Sequence, residues 1–345
     1  MRKRGFLLVL AFLVAFSLIQ PAAAHVPLFM EGGHSLEEAV QIENPTKSWV
    51  IYSVIHEATE PHYFYFDLSA GARIRLMLMV PTPEAILGFR PELALMGNGL
   101  TNLSTPPDYL EIPSGANVMI LTPSILNPEY EGFTPTSFTE LYDLDIAAPT
   151  TGRYYLAYYE PTMAGNFAIA IGYEESFTFQ EWVTIPFTVL VTHLWNHQTP
   201  GTLIAPVLIT LLLGFSLLVW RLPTLRTKDR LLTWIGITAG LLFIASGIFI
   251  FYQMSLALMQ VPPNAQIGIT IAFGTIPLVL GALTVRSCIS TDWFHKPRQL
   301  LLLIVLSILA LFLWAGWMIG AILLMITAII PSIQLVTRRR TLTST

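Results

Sequence analysis

The sequence predicts an all-β sandwich followed by an α-helical transmembrane bundle, with the change of character near residue 203. Three observations lead there. Between residues 40 and 173, Gly and Pro turns cut the chain into short runs rich in aromatic and β-branched residues, with no helical period between them. From Leu203 onward charge almost vanishes, and uncharged apolar stretches of membrane-spanning length recur. The whole chain is 54% hydrophobic and only 12% charged, a balance foreign to an ordinary water-soluble protein of 345 residues.

The elements follow in order. Arg2-Lys3-Arg4, the apolar run Gly5 to Ile19 and the small residues Pro21 to Ala24 read as a secretory signal peptide over residues 1–24. Cleavage after Ala24 makes His25 the first mature residue and puts residues 25–175 outside the cytoplasm; the alternative is an uncleaved anchor helix. Ser35-Leu36-Glu37-Glu38 has the form of a capping box, which predicts one or two helical turns through Val40. Strands are then expected at Trp49 to Ile55, His62 to Leu68, Ala72 to Val80, Glu92 to Met96, Asn117 to Leu121, Arg153 to Tyr159 and Asn166 to Tyr173. Glu84 to Arg90 and Pro123 to Thr139 read as long loops, where a sandwich carries its recognition surface.

Charge and cysteine content narrow the function classes. From His25 to Glu175 there are nineteen acidic residues against five basic ones. Such a domain does not bind nucleic acid by neutralising phosphates; its charge serves solubility or attracts cations. The single cysteine, Cys288, excludes an intrachain disulfide and any multi-cysteine zinc site.

Three segments, HYFYFDLSAGARIRLMLMVP, ELALMG and LDIAAPTTGRYYLAYYEPTMAGNFAIAIGY, carry a family resemblance. An aromatic-rich strand, a small-residue and Gly turn into an alternating strand, and a late Thr-Gly-Arg-Tyr-Tyr turn resemble the prepeptidase C-terminal type of domain over about residues 35–173. The resemblance implies a jelly-roll-like β-sandwich with a binding or accessory role and no catalytic residue. His62 stands where that family often has an acidic residue.

Residues 176–202 form a bridge. Thr184, Thr188 and Thr192 recur every four residues among apolar neighbours, with Trp182 and Trp195 near the ends, which predicts a juxtamembrane helix at the bilayer surface. Pro186 suits it if the helix starts only a residue or two earlier. Residues 203–336 then hold five expected spans, at 203–220, 231–251, 265–285, 299–315 and 318–336. The last two come from one uncharged stretch, Gln299 to Val336, too long for a single crossing and expected to turn near Trp314 to Trp317. The basic segments 221–230 and 286–298 and the tail 337–345 fall in the cytoplasm by the positive-inside rule. None of the spans contains an ionisable residue, which argues against a coupled pump or transporter. Gly236 and Gly240 permit close helix approach, within this chain or to a partner; Pro277 and Gly281 suggest a kink.

Six of the seven histidines, His25, His34, His56, His62, His193 and His197, lie on the expected outer side. A mature N-terminal His25 offers its amine and imidazole to copper, with His34, His56 or His62 completing the set. His56-Glu57-Ala58-Thr59-Glu60 has the outline of a zinc-protease motif with its last His replaced by Glu, but that motif works only on a helix, and here a hairpin loop is expected. His193 and His197 have metal spacing if helical; the plainer reading is the polar edge of a surface helix. Asn102-Leu103-Ser104 is a glycosylation sequon. Asp143 and Asp145, near Glu140, are loose calcium candidates or a solvated strand face.

The function expected from these residues is a multi-pass cell-membrane protein displaying an extracytoplasmic binding module. Its partners would be the lipid bilayer together with an envelope ligand or a membrane-protein complex, with no nucleic acid, cofactor or catalytic residue. The alternative is a copper-binding redox or metal-handling protein built on His25.

Overall fold

The computed structural model describes residues 25–101, 104–124, 127–221 and 230–343. The expected signal peptide and the Asn102 sequon lie outside these residues. The β region contains the strands β1 (Val26–Phe29), β2 (Val40–Gln41), β3 (Trp49–Ile55), β4 (His62–Leu68), β5 (Arg73–Pro81), β6 (Glu92–Gly97), β7 (Asn117–Leu121), β8 (Pro128–Glu131), β9 (Thr136–Ala147), β10 (Gly152–Tyr159) and β11 (Gly165–Ile171). They form a six-stranded sheet in the order β1-β3-β11-β5-β9-β8 and a five-stranded sheet in the order β2-β4-β10-β6-β7.

Burial explains the strand sequences. Ile74, Leu76, Leu78 and Val80 of β5 are all buried, the period of two expected of a strand with one face in a core. The five-stranded sheet is buried on both faces. Its inner row, Phe64, Phe66, Leu156 and Tyr158, faces the other sheet, where Tyr158 stacks on Phe167 of β11 at 5.3 Å. Its outer row, Tyr63, Ala94, Met96, Ala157 and Tyr159, is covered by Leu36, Ala39, Leu110 and Ile112 from connecting segments. That double burial is why β6 reads as the unbroken apolar run Leu93 to Met96.

Two expected features of this region differ in the structure. Ser35 to Glu38 is a turn that leads into β2: the Glu38 amide does donate to Ser35 Oγ at 3.3 Å, but no helical turn follows. The expected loop after Pro83 contains a short helix, α1 (Thr82–Leu87).

The helices after it are α2 (Phe179–Trp195), α3 (Pro200–Arg221), α4 (Arg230–Leu258), α5 (Ile267–Cys288), α6 (Pro297–Phe312) and α7 (Ile319–Thr343). Each of the five expected spans falls on one of the last five. Four of these helices, α3, α4, α5 and α7, are long and apolar enough to cross a membrane. The fifth, α6, has 16 residues, about 24 Å against a hydrocarbon core of about 30 Å. The turn between α6 and α7 is a 3₁₀ turn at Ala315–Trp317, within the stretch expected to turn. The chain stays helical through the basic tail to Thr343 rather than ending the helix near residue 336.

The chain divides into two compact units, and the division does not follow the strand–helix boundary. Among the described residues, the first takes those up to Val80 and those within Leu87–Leu126 and Glu140–Glu181; the second takes those within Pro81–Ile86 and Asn127–Thr139 and those from Trp182 on. Residues 127–139, expected as a recognition loop, are therefore a hairpin of the helical unit. Tyr130 packs on Ala257 and Val261. Thr270 Oγ1 donates to the Gly132 carbonyl at 2.6 Å, so the Tyr130 hydroxyl, 2.6 Å away, is the donor in its own bond to Thr270. The Gly132 amide donates to Gln266 Oε1 at 2.9 Å, and a Cβ on Gly132 would lie 2.3 Å from the Gln266 carbonyl oxygen. Only glycine allows that approach.

Candidate metal centre

One group of metal-ligating side chains stands out among the described residues: His34, Glu60 and His62, with one ligand atom from each within 4.8 Å of the others. Their positions follow from the local chain. His62 opens β4, and its alternation with Phe64 and Phe66 turns it into the space between the sheets. There it is fully buried, edge-on to Phe167 at 6.0 Å. His34 is brought over it by Gly32 and Gly33. Gly33 and Tyr63 exchange backbone hydrogen bonds, N–H to O at 3.1 Å one way and 2.7 Å the other. A Cβ on Gly32 would lie 2.9 Å from His62 Cβ, and one on Gly33 would lie 2.1 Å from the Glu38 carbonyl oxygen. With this segment pressed against β4, the His34 and His62 rings sit 5.1 Å apart.

Glu60 comes from the connection between β3 and β4, which crosses from one sheet to the other and is neither a helix nor a hairpin. Thr59, at φ +68°, turns the chain there. The zinc-protease spacing of His56 to Glu60 therefore has no helical face to act on. Glu60 Oε2 accepts from the amides of His56 at 3.1 Å and Glu57 at 3.3 Å, while Oε1 lies 3.2 Å from His34 Nδ1. Burial pushes the Glu60 pKa up, but those amides and the neighbouring His34 and His62 outweigh it and hold the carboxylate below its usual range.

His62 is the unusual member. Neither ring nitrogen has a hydrogen-bond partner, and the closest carboxylate oxygen, Glu60 Oε2, is 3.8 Å from Nε2. Burial pushes its pKa down to about 4, against the opposing pull of Glu60. A buried imidazole with both nitrogens unpaired forgoes hydrogen bonds that water would have supplied. It is also in the neutral form a metal ion requires.

The other expected ligands lie around this group or away from it. His56 is exposed, with Nε2 3.3 Å from Glu31 Oε1, and borders the site through its amide bond to Glu60. His25 stands apart from the group: its Nδ1 is 2.5 Å from Ser48 Oγ, and burial followed by the charge of Arg75 pushes its pKa down. A cation at His25 would share that repulsion. Asp143 and Asp145 are ion-paired across the sheet with Arg75 and Arg73, the latter at 2.6 Å, so they form neither a calcium site nor a free solvated face. His193 is fully buried rather than at a polar helix edge, and His197 lies beyond the end of α2 at φ +61°, paired with Glu84. The two therefore do not share a helix face.

Sequence reasoning had named His34, His56 and His62 but not Glu60 as a ligand. The signal was present in Gly32-Gly33 ahead of His34, two residues that let the backbone lie against another strand.

No protein-family model matches this chain, and no similar curated protein was found.

Proposed function

We propose that this is a cell-envelope membrane protein whose extracytoplasmic β region binds a divalent transition-metal ion through His34, Glu60 and His62. The observation that carries the reading is the buried His62, both nitrogens unpaired, beside an ionised carboxylate and a second imidazole. Two imidazoles and one carboxylate suit zinc or copper, and three protein ligands leave a coordination position open for water or a further donor. The reading departs from a copper site at the mature N-terminus, because His25 is engaged elsewhere. The jelly-roll-like relationship belongs to the same reading: a display domain that carries a binding site rather than a catalytic one.

The test uses the full chain in detergent, stripped with chelator and titrated separately with Zn²⁺ and Cu²⁺ by calorimetry. One ion per chain is expected, with affinity lowered about a hundredfold or more by His34→Ala or Glu60→Gln and unchanged by His25→Ala. Both test residues are partly exposed, so the fold tolerates their replacement. Binding that depends on His25 and ignores Glu60 would restore the N-terminal copper reading; no binding by the intact chain sinks both.

The proposed orientation follows from the acidic β region and the basic segments flanking the spans. A reporter enzyme fused after Arg340 is expected to be active only on the cytoplasmic side. Activity outside would mean that the 16-residue α6 does not cross the bilayer with the other four.

A further inference from the structure

A second site lies within the helical unit and owes nothing to the metal centre. A half-open cavity of about 80 Å³ is lined by residues of α2, α4, α5, the α6–α7 turn and the 127–139 hairpin. Five of its sixteen lining residues carry large aromatic rings: Phe133, Phe249, Phe273, Trp314 and Trp317. Phe273 and Trp314 lie nearly parallel, with centroids 6.4 Å apart, and Phe133 stands edge-on to both. A volume of this size exceeds what one ordered water needs several times over.

Among the residues that line it, every fully buried side-chain polar atom has a partner with one exception. Gln253 and Gln198 exchange amide hydrogen bonds at 2.7 and 3.0 Å. Ser246 Oγ donates to the Phe243 carbonyl and accepts from the Gly316 amide, each at 2.9 Å. Trp314 Nε1 donates to the Trp182 carbonyl at 2.9 Å, an oxygen freed from its own helix because Pro186, four residues on, has no N–H to give it. The exception is His193. It lines the cavity edge-on to Phe249, is fully buried, and has no partner for either ring nitrogen.

The backbone at the same wall is strained. Trp314 and Trp317 sit at φ +49° and +54°, a region that costs a non-glycine residue about 1 kcal/mol or more and that concentrates at ligand-holding sites. Burial of His193 in apolar surroundings keeps its ring neutral, so it offers one N–H and one lone pair and repels no uncharged guest.

We propose that this cavity binds a small uncharged ring-bearing amphiphile, a phenol or a quinone head group, whose ring lies among Phe273, Trp314 and Phe249 and whose oxygen bonds to His193. The ring walls match a flat guest. The lone unpaired imidazole, able to donate or accept, matches a single hydroxyl or carbonyl oxygen, and no charged residue lines the cavity to recognise an ionic ligand.

Calorimetry on the full chain in detergent tests this with three probes of equal tail length: 4-hexylphenol, a hexyl-tailed benzoquinone, and hexylbenzene, which lacks the oxygen. Saturable binding of the phenol, the quinone or both at one per chain is expected, about tenfold tighter than hexylbenzene. Which of the two binds tighter identifies the head group. His193→Leu removes the unpaired nitrogens without opening a void and is expected to erase that tenfold preference while still binding hexylbenzene. Val189→Phe, which fills the cavity from α2, is expected to abolish binding of all three. Hexylbenzene binding as tightly as both oxygen-bearing probes, an unchanged preference in His193→Leu, or no saturable binding by the wild type would each overturn the proposal.

Discussion

Gly33→Ala is expected to lower transition-metal affinity about a hundredfold and to destabilise the β region by about 1–3 kcal/mol. The reason is backbone against backbone. The added Cβ would lie 2.1 Å from the Glu38 carbonyl oxygen and 2.3 Å from its carbon, atoms that no side-chain rotation can move. Relief requires residue 33 and the Glu38 backbone to move apart, which is expected to disrupt the paired Gly33–Tyr63 hydrogen bonds and to carry His34 out of reach of Glu60. Gly33 is thus a positioning residue that touches no metal. Gly71→Ala provides the control: Gly71 sits at φ +80° with open space around its would-be Cβ. That change costs about 1 kcal/mol or more of backbone strain and is expected to leave metal binding untouched. Titration with Zn²⁺ and chemical unfolding of the two variants separate the cases. Wild-type affinity in Gly33→Ala would mean that the glycine pair does not build the site.

The residues most legible in the sequence were those whose partners are close in the chain or whose pattern is fixed by one buried face. β3, β4 and β7 occupy the residues their alternation predicted, and the α6–α7 turn lies where length alone required one. The start of the 12-residue β9 was read as loop because Pro135 stands just before it and three of its first four residues, Thr136, Ser137 and Thr139, carry polar side chains that are buried nonetheless. Ser137 Oγ, for one, donates to Gln260 Oε1, 123 residues on. The threonine stripe of α2 predicted a helix over this segment, and the chain is helical from Phe179 to Trp195. Thr188 and Thr192 donate to the carbonyls of Ile185 and Thr188 at 2.9 and 3.1 Å, satisfying their hydroxyls within the helix. A hydroxyl satisfied in this way can be buried, as Thr192 is beside His193, while Thr184 at the other end of the stripe is exposed. The His34–Glu60–His62 group was half visible: its histidines were nameable, but the backbone pairing that joins residue 33 to residue 63 leaves no periodic trace.

Gly240→Leu is expected to carry a large stability cost in the helical unit, on the order of 3 kcal/mol, because two helix backbones approach closely there. A Cβ on Gly240 would lie 3.0 Å from the Gly281 carbonyl oxygen of α5, and a Cβ on Gly281 would lie 2.5 Å from that of Gly240. The small residues are reciprocal, so neither helix can yield without the other. Gly236, one turn earlier, faces Cys288 Sγ and Thr327 instead, which ties α4 to the end of α5 and to α7. The glycine spacing noted in the sequence thus serves packing inside the chain. Gly268→Leu is the matched control, since nothing lies within 4 Å of its added Cβ. The detergent-purified Gly240→Leu protein is expected to unfold at lower temperature, and Gly268→Leu to behave as wild type. If these glycines instead served a second copy of the chain, Gly240→Leu would change the oligomeric state and leave the unfolding temperature of the single chain where it was. The backbone contacts between α4 and α5 predict the opposite: stability falls first, and any change in assembly is its consequence.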